Sequence, residues 1–277
     1  MSGDIAVVLD VAGTMLRMYR VAKDLGSGLL LKKVVTSELI MEKSGRALVV
    51  PQIRPDLLWR CPPDEPLSSL FKGKEAHIGI SCSSSPISRE QVASILLRSR
   101  AKVSDLQEVQ VAVRARCPEE YQTTGMIVDE DLHDVTHVIS TGGTPFPGLC
   151  GVLREIESIG ADIYVASGDS MRSLVNLKGY GIDLGRVYPV ASPKRKQEIV
   201  MELKERYGSV VMVGDGLNDL YALRAADLGV LSVQQDSQPA LNLVLAADEI
   251  MGDIKELPGI LKRRIIPQRR GPIDLDG

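Results

Sequence analysis

The chain has 277 residues, 44% hydrophobic and 25% charged, with 33 Lys and Arg against 36 Asp and Glu for a formal charge of -3. That length accommodates one sizeable core and a second lobe, and the near balance of charge gives no basis for nucleic acid as the main partner. Two Phe and one Trp leave little for stacking on bases or sugars, and no apolar run reaches the roughly 18 to 20 residues of a membrane span, so a cytoplasmic protein is expected.

The first element is "AVVLDVAGTM", residues 6–15, an apolar strand that ends on an acid, Asp10, and runs at once into a Gly-Thr turn. Residues 17–143 then mix periods, with "GLLLKKVVTSELIMEKSGRALVVP", "AHIGISC" and "EVQVAVRAR" and one clear amphipathic helix in "SREQVASILLRSRA". They predict an inserted α+β domain with an internal loop at "RCPPDEPLSS", residues 60–69. The serines of "SCSSSP", residues 81–86, read as a turn rather than a cluster of nucleophiles. In "DEDLHDVTH", residues 129–137, His133 and His137 stand four apart, which on a helix would pair them on a metal. "DVTHVIS" reads as a strand, however, which separates the rings and leaves a solvated acidic loop. Glycines and prolines in "STGGTPFPG", residues 140–148, predict the hinge that closes the insertion.

From residue 144 onward helix and strand alternate: "GLCGVLREIESIG" then "ADIYVAS", "RKQEIVMELKERYG" then "SVVMVGDG", "NDLYALRAAD" then "LGVLSV". Such alternation predicts a Rossmann-like parallel sheet with helices on both faces, an α/β core, because parallel strands need crossovers and their apolar runs need cover. The expected division is a core of residues 1–16 and 144–265, an insertion at 17–143 and a basic, flexible tail at 266–277 beginning in "KRRIIPQRRG". Cys61, Cys82, Cys117 and Cys150 are too scattered for a zinc site and are expected to be reduced, mostly buried thiols.

Ligands of open α/β sheets bind beyond the carboxyl ends of the strands. Those ends carry Asp10, then Ser167-Gly168-Asp169, then Gly214-Asp215-Gly216 with Asn218 and Asp219. Lys194 and Lys196 precede the last group at the start of a helix. Clustered acids repel, so they imply a cation, and all-oxygen donors imply a hard one, Mg²⁺ by preference. A phosphate completes the set, held by the Ser167 hydroxyl, helix N-terminal amides and a lysine, with one carboxylate left to attack.

In this order "DVAGT", "VASGD", the lysine of "PKRKQEIV" and "VGDGLND" resemble the four motifs of the haloacid dehalogenase superfamily of hydrolases. The last motif, with "LYALRAADLGV" after it, looks like the phosphorylation domain of P-type ATPases and related soluble phosphatases. The insertion lies where that superfamily places a cap. The resemblance implies that Asp10 is a nucleophile that becomes phospho-aspartate, that Ser167 holds the transferring phosphoryl group, and that Thr14, Gly168 and Asn218 line the substrate. It implies that Lys196, rather than Lys194, screens the charge. It also implies Mg²⁺ on Asp10, Asp215 and Asp219, with Asp219 in support and the backbone carbonyl of Ala12 as a further ligand.

Phosphatases of that superfamily usually carry a second Asp at the position of Ala12, acting as general acid and base, a contribution of roughly 10² to 10⁴ in rate. Its absence is compatible with a leaving group that needs no proton, such as ADP or the carboxylate of an acyl phosphate, or with an acid supplied by the cap. A third chemistry is P–C cleavage, since phosphonoacetaldehyde hydrolase has an Asp-x-Ala-Gly-Thr motif like "DVAGT" and a Schiff-base lysine in its cap. Lys23, Lys32, Lys33 and Lys43 would be the candidates here, although "GDGLND" is unlike that family's fourth motif. For ATP hydrolysis, "FKGKEA" at 71–76 is faintly similar to the Lys-Gly element of ATPase nucleotide domains, but the first motif lacks Lys-Thr after the Asp. A protein that binds phosphate or nucleotide without turnover is the remaining alternative, and the cost of keeping Asp10, Lys196, Asp215 and Asp219 together weighs against it. The expectation is a Mg²⁺-dependent phosphohydrolase acting on a small phosphorylated molecule with a good leaving group, without nucleic acid or membrane as partner. Homo-oligomer formation is left open.

Overall fold

The computed structural model describes residues 4–32, 34–51, 55–71, 78–117, 121–169, 171–235 and 238–265. Lys33, nearly all of the 71–76 segment and the basic tail from 266 lie outside the described residues. The chain runs β1 (Ile5–Leu9), β2 (Leu16–Asp24), β3 (Leu30–Lys32), α1 (Thr36–Met41), β4 (Arg46–Pro51), β5 (Ile78–Ser83), α2 (Arg89–Arg98), α3 (Val103–Arg114), β6 (Gln122–Asp129) and β7 (Asp134–Pro145). It continues through α4 (Leu149–Ser158), β8 (Ala161–Ala166), α5 (Met171–Leu174), β9 (Val187–Tyr188), α6 (Pro193–Lys204), β10 (Ser209–Gly214), α7 (Leu220–Ala225), β11 (Leu228–Ser232), α8 (Leu241–Val244), β12 (Glu249–Met251) and α9 (Leu257–Arg264).

These strands form two six-stranded sheets, one parallel in the order β12-β11-β10-β1-β8-β9 and one antiparallel in the order β3-β2-β7-β6-β4-β5. The fold is therefore α/β, a Rossmann-like parallel sheet with a second α+β unit whose strands fall between β1 and β8. Every residue of β1 is buried, as a strand covered on both faces must be. Val7 and Leu9 pack with Leu153, Ile156 and Leu257 on one side, while Ala6 and Val8 pack with Ile199, Val200 and Leu203 on the other. In the antiparallel sheet, Val21, Val49 and Val138 face Val92, Leu96, Leu106 and Val109 of α2 and α3. The opposite face carries Ala22, Ile127 and Ile139 with Ile40 of α1. Among the described residues no helix is long and apolar enough to cross a membrane.

Three local features differ from what the sequence suggests, while "DVTHVIS" is the strand expected and keeps His133 and His137 apart. "EVQVAVRAR" belongs to the helix α3, because Val103, Leu106, Val109 and Val113 form a buried stripe while Val111 is 55% exposed; three valines at alternate positions mimic a strand. Residues 140–145 of the expected hinge continue β7. Its glycines serve close packing: a Cβ on Gly142 would meet Val113 and Cys117 at 2.7 and 2.8 Å, and one on Gly143 would meet Leu16 and Tyr121 at 3.0 Å. The cysteines are free, yet only Cys117 is buried; Cys150 is exposed on the solvent side of α4, and Cys61 and Cys82 are half-buried. His133 sits exposed in the β6–β7 turn with φ 49°, and His137 is buried on β7 opposite Asp24.

Candidate active site

Register builds the site. β1 lies between β8 and β10, with Leu9 level with Val165 and Val213, so Asp10, Ser167 and the Asp215 loop leave adjacent strand ends at one height. The sheet order reverses about β1, which opens the crevice there. Asp10 stays tied to its neighbour through its amide, which donates to the Val213 carbonyl at 2.9 Å. Beyond it the chain folds back: the amides of Met15 and Leu16 both donate to the Val11 carbonyl, at 3.0 and 2.9 Å. Gly13 makes this turn at φ +67°, where a Cβ would fall 1.7 Å from Asp215 Oδ2. Glycine is required there on both counts. The loop is fastened from behind by Ser232 Oγ, which donates to the Gly13 carbonyl at 2.7 Å, and Gln234 Nε2, which donates to that of Thr14 at 3.1 Å.

Lys196 enters from α6. Ser192 caps the helix by accepting from the Arg195 amide, Pro193 takes its first turn, and Lys196 lies on the same buried stripe as Ile199, Val200 and Leu203. Its Nζ donates to Asp10 Oδ1 and to Asp219 Oδ1, each at 2.6 Å, with Lys196 and Asp219 at 0% and Asp10 at 2% exposure. Lys194 points to solvent instead. The other oxygen of Asp219 accepts from the amides of Asp215 and Gly216, at 3.1 and 3.2 Å, so this carboxylate is saturated and shapes the loop that carries Asp215. Gly214 allows that approach, since a Cβ there would lie 2.4 Å from the Asp219 carboxyl carbon.

Asp10, Asp215 and Asp219 each bring a carboxylate oxygen within 4.8 Å of the other two. Burial, opposed by Lys196 and reinforced by Asp219, pushes the Asp10 carboxyl up to about 7. Burial, with Asp10 and Asp219 alongside, raises Asp215 well above the ordinary carboxylate value. Burial disfavours the charged form of Lys196, but the two acids outweigh it and raise its pKa. Asp10 Oδ2 and Thr14 Oγ1 are buried and hydrogen-bonded to none of the described residues. An orphaned carboxylate oxygen beside a second, raised carboxylate is a fit for a hard divalent cation.

Ser167 is buried, with its Oγ 3.1 Å from Asp169 Oδ2 and accepting from the Asp169 amide at 3.1 Å. The same Asp169 oxygen receives the hydroxyl of Tyr121 from the antiparallel unit. Burial and the Asp169 charge keep that phenol neutral, its pKa raised well above the ordinary value. Gly168 is partly exposed and a Cβ on it would lie 2.4 Å from Ser81 Oγ of β5. The second unit thus presses directly on the Ser167 loop. Asn218 stands at the rim, folded over Gly216, and Ala12 packs half-buried on the core. Sequence reasoning missed Ser232 and Gln234, which the strand-end rule would have found after "LGVL", and it missed Tyr121. It passed over Arg20 as well, half-buried on β2.

Of the lysines considered for carbonyl chemistry, Lys23 and Lys43 are engaged elsewhere. Lys23 pairs with Asp105 and Glu108 of α3 at 2.8 and 2.6 Å, and Lys43 pairs with Asp129 and Asp131 at 2.9 and 3.2 Å. Lys32 is exposed on the edge strand β3.

A profile of haloacid dehalogenase-like hydrolases matches residues 6–227. The chain is 30% identical over 275 residues to a soluble P-type ATPase-like phosphatase of Methanocaldococcus jannaschii, covering 98% of each chain. It is 31% identical over 121 residues to the cadmium/zinc-transporting ATPase HMA2 of Arabidopsis thaliana, a match that covers 42% of this chain and spans 12% of the transporter's length. A solved phospho-aspartyl intermediate analogue of phosphoserine phosphatase aligns over 95% of this chain and 99% of that one, at 14% identity and a TM-score of 0.45.

Proposed function

The chain belongs to the haloacid dehalogenase-like hydrolases, and from that membership we propose a Mg²⁺-dependent phosphatase that works through a phosphorylated Asp10 on small substrates with good leaving groups. The observation that carries this reading is the asymmetry of Asp10: Oδ1 is held by Lys196 at 2.6 Å, while buried Oδ2 is unpaired among the described residues. Lys196 fixes the carboxylate through one oxygen, and the other is left without a partner among the described residues, open to the site.

Lys196 orients Asp10 and keeps its charge beside the incoming phosphoryl oxygens, while Ser167 Oγ and Thr14 Oγ1 offer hydroxyls for the same oxygens. Asp10 and Asp215 would hold Mg²⁺, with the Ala12 carbonyl, and Asp219 would brace the Asp215 loop. Bound there, the cation would neutralise the carboxylates and draw charge from the phosphoryl group. Asp10 attacks phosphorus, the P–O bond to the leaving group breaks, and water later cleaves the aspartyl phosphate to regenerate the carboxylate. The second unit, touching Gly168 and Asp169, acts as a cap over this exchange.

The pairing of Lys23 and Lys43 with acids favours this over a Schiff-base phosphonate hydrolase. Its test is Mg²⁺-dependent hydrolysis of acetyl phosphate and p-nitrophenyl phosphate by the wild type and by Asp10→Asn. Turnover is expected in the wild type and a loss of at least ~10³-fold in the variant. Equal rates in the two proteins would remove Asp10 as nucleophile.

A further inference from the structure

The loop after Asp10 feeds straight into β2: the Gly13 amide donates to the Leu16 carbonyl at 2.9 Å, and Leu16 opens the strand. Side chains alternate along a strand, so Leu16, Met18, Arg20 and Ala22 share one face. Leu16 and Met18 pack with Leu9 and Val11 of the catalytic core, whereas Val21 packs with α2 and α3 on the other face. Arg20 therefore stands on the core-facing side of the cap, one step along the strand from Met18.

Across the sheet Arg20 is level with Thr141, and Thr141 with Thr123. Both threonines are nearly buried, and Tyr121 lies two residues before Thr123, at the Ser167 loop. Past this polar row the same face turns apolar, at Ala22, Ile139 and Ile127. Before it come Met18 and Gly143, paired in register. A polar band between two apolar ones, turned toward a nucleophile, is a surface shaped for a polar ligand.

Within that band Arg20 is half-buried and makes no hydrogen bond or ion pair with any described residue. The register sets Arg20 beside Thr141 and Thr123 on the face that continues from Leu16 and Met18, and its charge acts, secondary to burial, on both Asp215 and Tyr121. A guanidinium carries five donors and stays charged. Here they have no hydrogen-bond partner among the described residues.

We propose that Arg20 takes up the negative charge of the departing leaving group, in place of the proton that position 12 cannot supply, and that the substrates are phosphoryl donors whose leaving group departs as an oxyanion. The inference rests on the phosphatase reading above. As the Asp10 oxygen bonds to phosphorus, the electron pair of the breaking P–O bond stays on the bridging oxygen. That oxygen leaves as a carboxylate, phosphate or phenolate paired with the guanidinium, and no proton moves in the step. Water then converts the aspartyl phosphate to the Asp10 carboxylate and H₂PO₄⁻. Arg20 cannot act as an acid, so its contribution is electrostatic and grows with the charge that the oxygen develops.

The test is a series of aryl phosphates graded by the acidity of the phenol, assayed with the wild type, Arg20→Met, Arg20→Lys and Asp10→Asn. For Arg20→Met the expected loss in kcat/KM, which reports the step that expels the leaving group, is roughly 10²-fold on phenyl phosphate and under about 10-fold on 2,4-dinitrophenyl phosphate, the scale of a lost oxyanion donor. Arg20→Lys should recover part of the loss. A uniform loss across the series, or none, would overturn the role of Arg20 while Asp10→Asn stays inactive. A wild type silent on every ester, or Asp10→Asn as active as the wild type, would bring down the phosphatase reading and this proposal with it.

Discussion

The Asp10 and Asp215 carboxyls resist ionisation because burial raises both, reinforced by Asp219 at Asp10 against the pull of Lys196 and by Asp10 and Asp219 at Asp215. A carboxyl whose folded pKa is raised penalises the folded state increasingly as pH climbs from its unfolded value, ordinarily about 3.9, toward the folded one. For Asp10 that window closes at about 7. Below it a cation must displace protons to bind; above it the cation meets charges already formed and removes their repulsion. Added Mg²⁺ should therefore raise the melting temperature more at about pH 8 than at about pH 5, as scanning calorimetry at the two pH values would record. A gain that is larger at the lower pH would rule out these carboxylates as the binding groups. At this scale the sequence was informative where chemistry clusters at strand ends, as at Asp10, Ser167 and Asp215. It was uninformative about Arg20, whose neighbours Arg17 and Lys23 on β2 are equally charged, so only the pairing of strands tells which of them faces the core.

Among the elements, α6 shows how a helix start can place a reactive group. The Ser192 cap and Pro193 fix the first turn, and the buried period of Ile199, Val200 and Leu203 rotates Lys196, not Lys194, inward. Replacing Ser192 by Ala removes the bond to the Arg195 amide, 3.2 Å long. The expected cost is about 1 kcal/mol in stability, with a fall in kcat that exceeds the change in KM because the Lys196 ammonium loses its fixed position. Urea unfolding and steady-state kinetics on acetyl phosphate would show both, and an unchanged kcat would detach the cap from the placement of Lys196. The alternation after residue 144 was readable where strands are mostly apolar, as in β8, β10 and β11, and helices carry a single buried stripe, as in α4 and α6; the short β9 and β12 were not read. α3 was not, since its valines at 109, 111 and 113 satisfy a strand period and only the burial of Val103 and Leu106 breaks the tie. The glycines of β7 misled for a similar reason: a sequence does not say whether a glycine bends the chain or admits a neighbour.

In the whole molecule the two sheets meet at the carboxyl ends of the parallel strands. Tyr121 reaches Asp169 from the antiparallel unit, Ser81 approaches Gly168, and the Met18 amide donates to Gln235 Oε1 at 2.7 Å across the junction. An inserted unit was legible from the break in periodicity after residue 16. Its strand order was not, because antiparallel pairing over long connections leaves no local signature. The account turns on one covalent bond, and rapid quenching with ³²P-labelled acetyl phosphate and Mg²⁺ tests it most directly. It predicts a label on the peptide carrying Asp10 that forms before steady state, is released by hydroxylamine, and is missing in Asp10→Asn. Turnover without any labelled protein, or a label that survives the Asp10→Asn substitution, would contradict it.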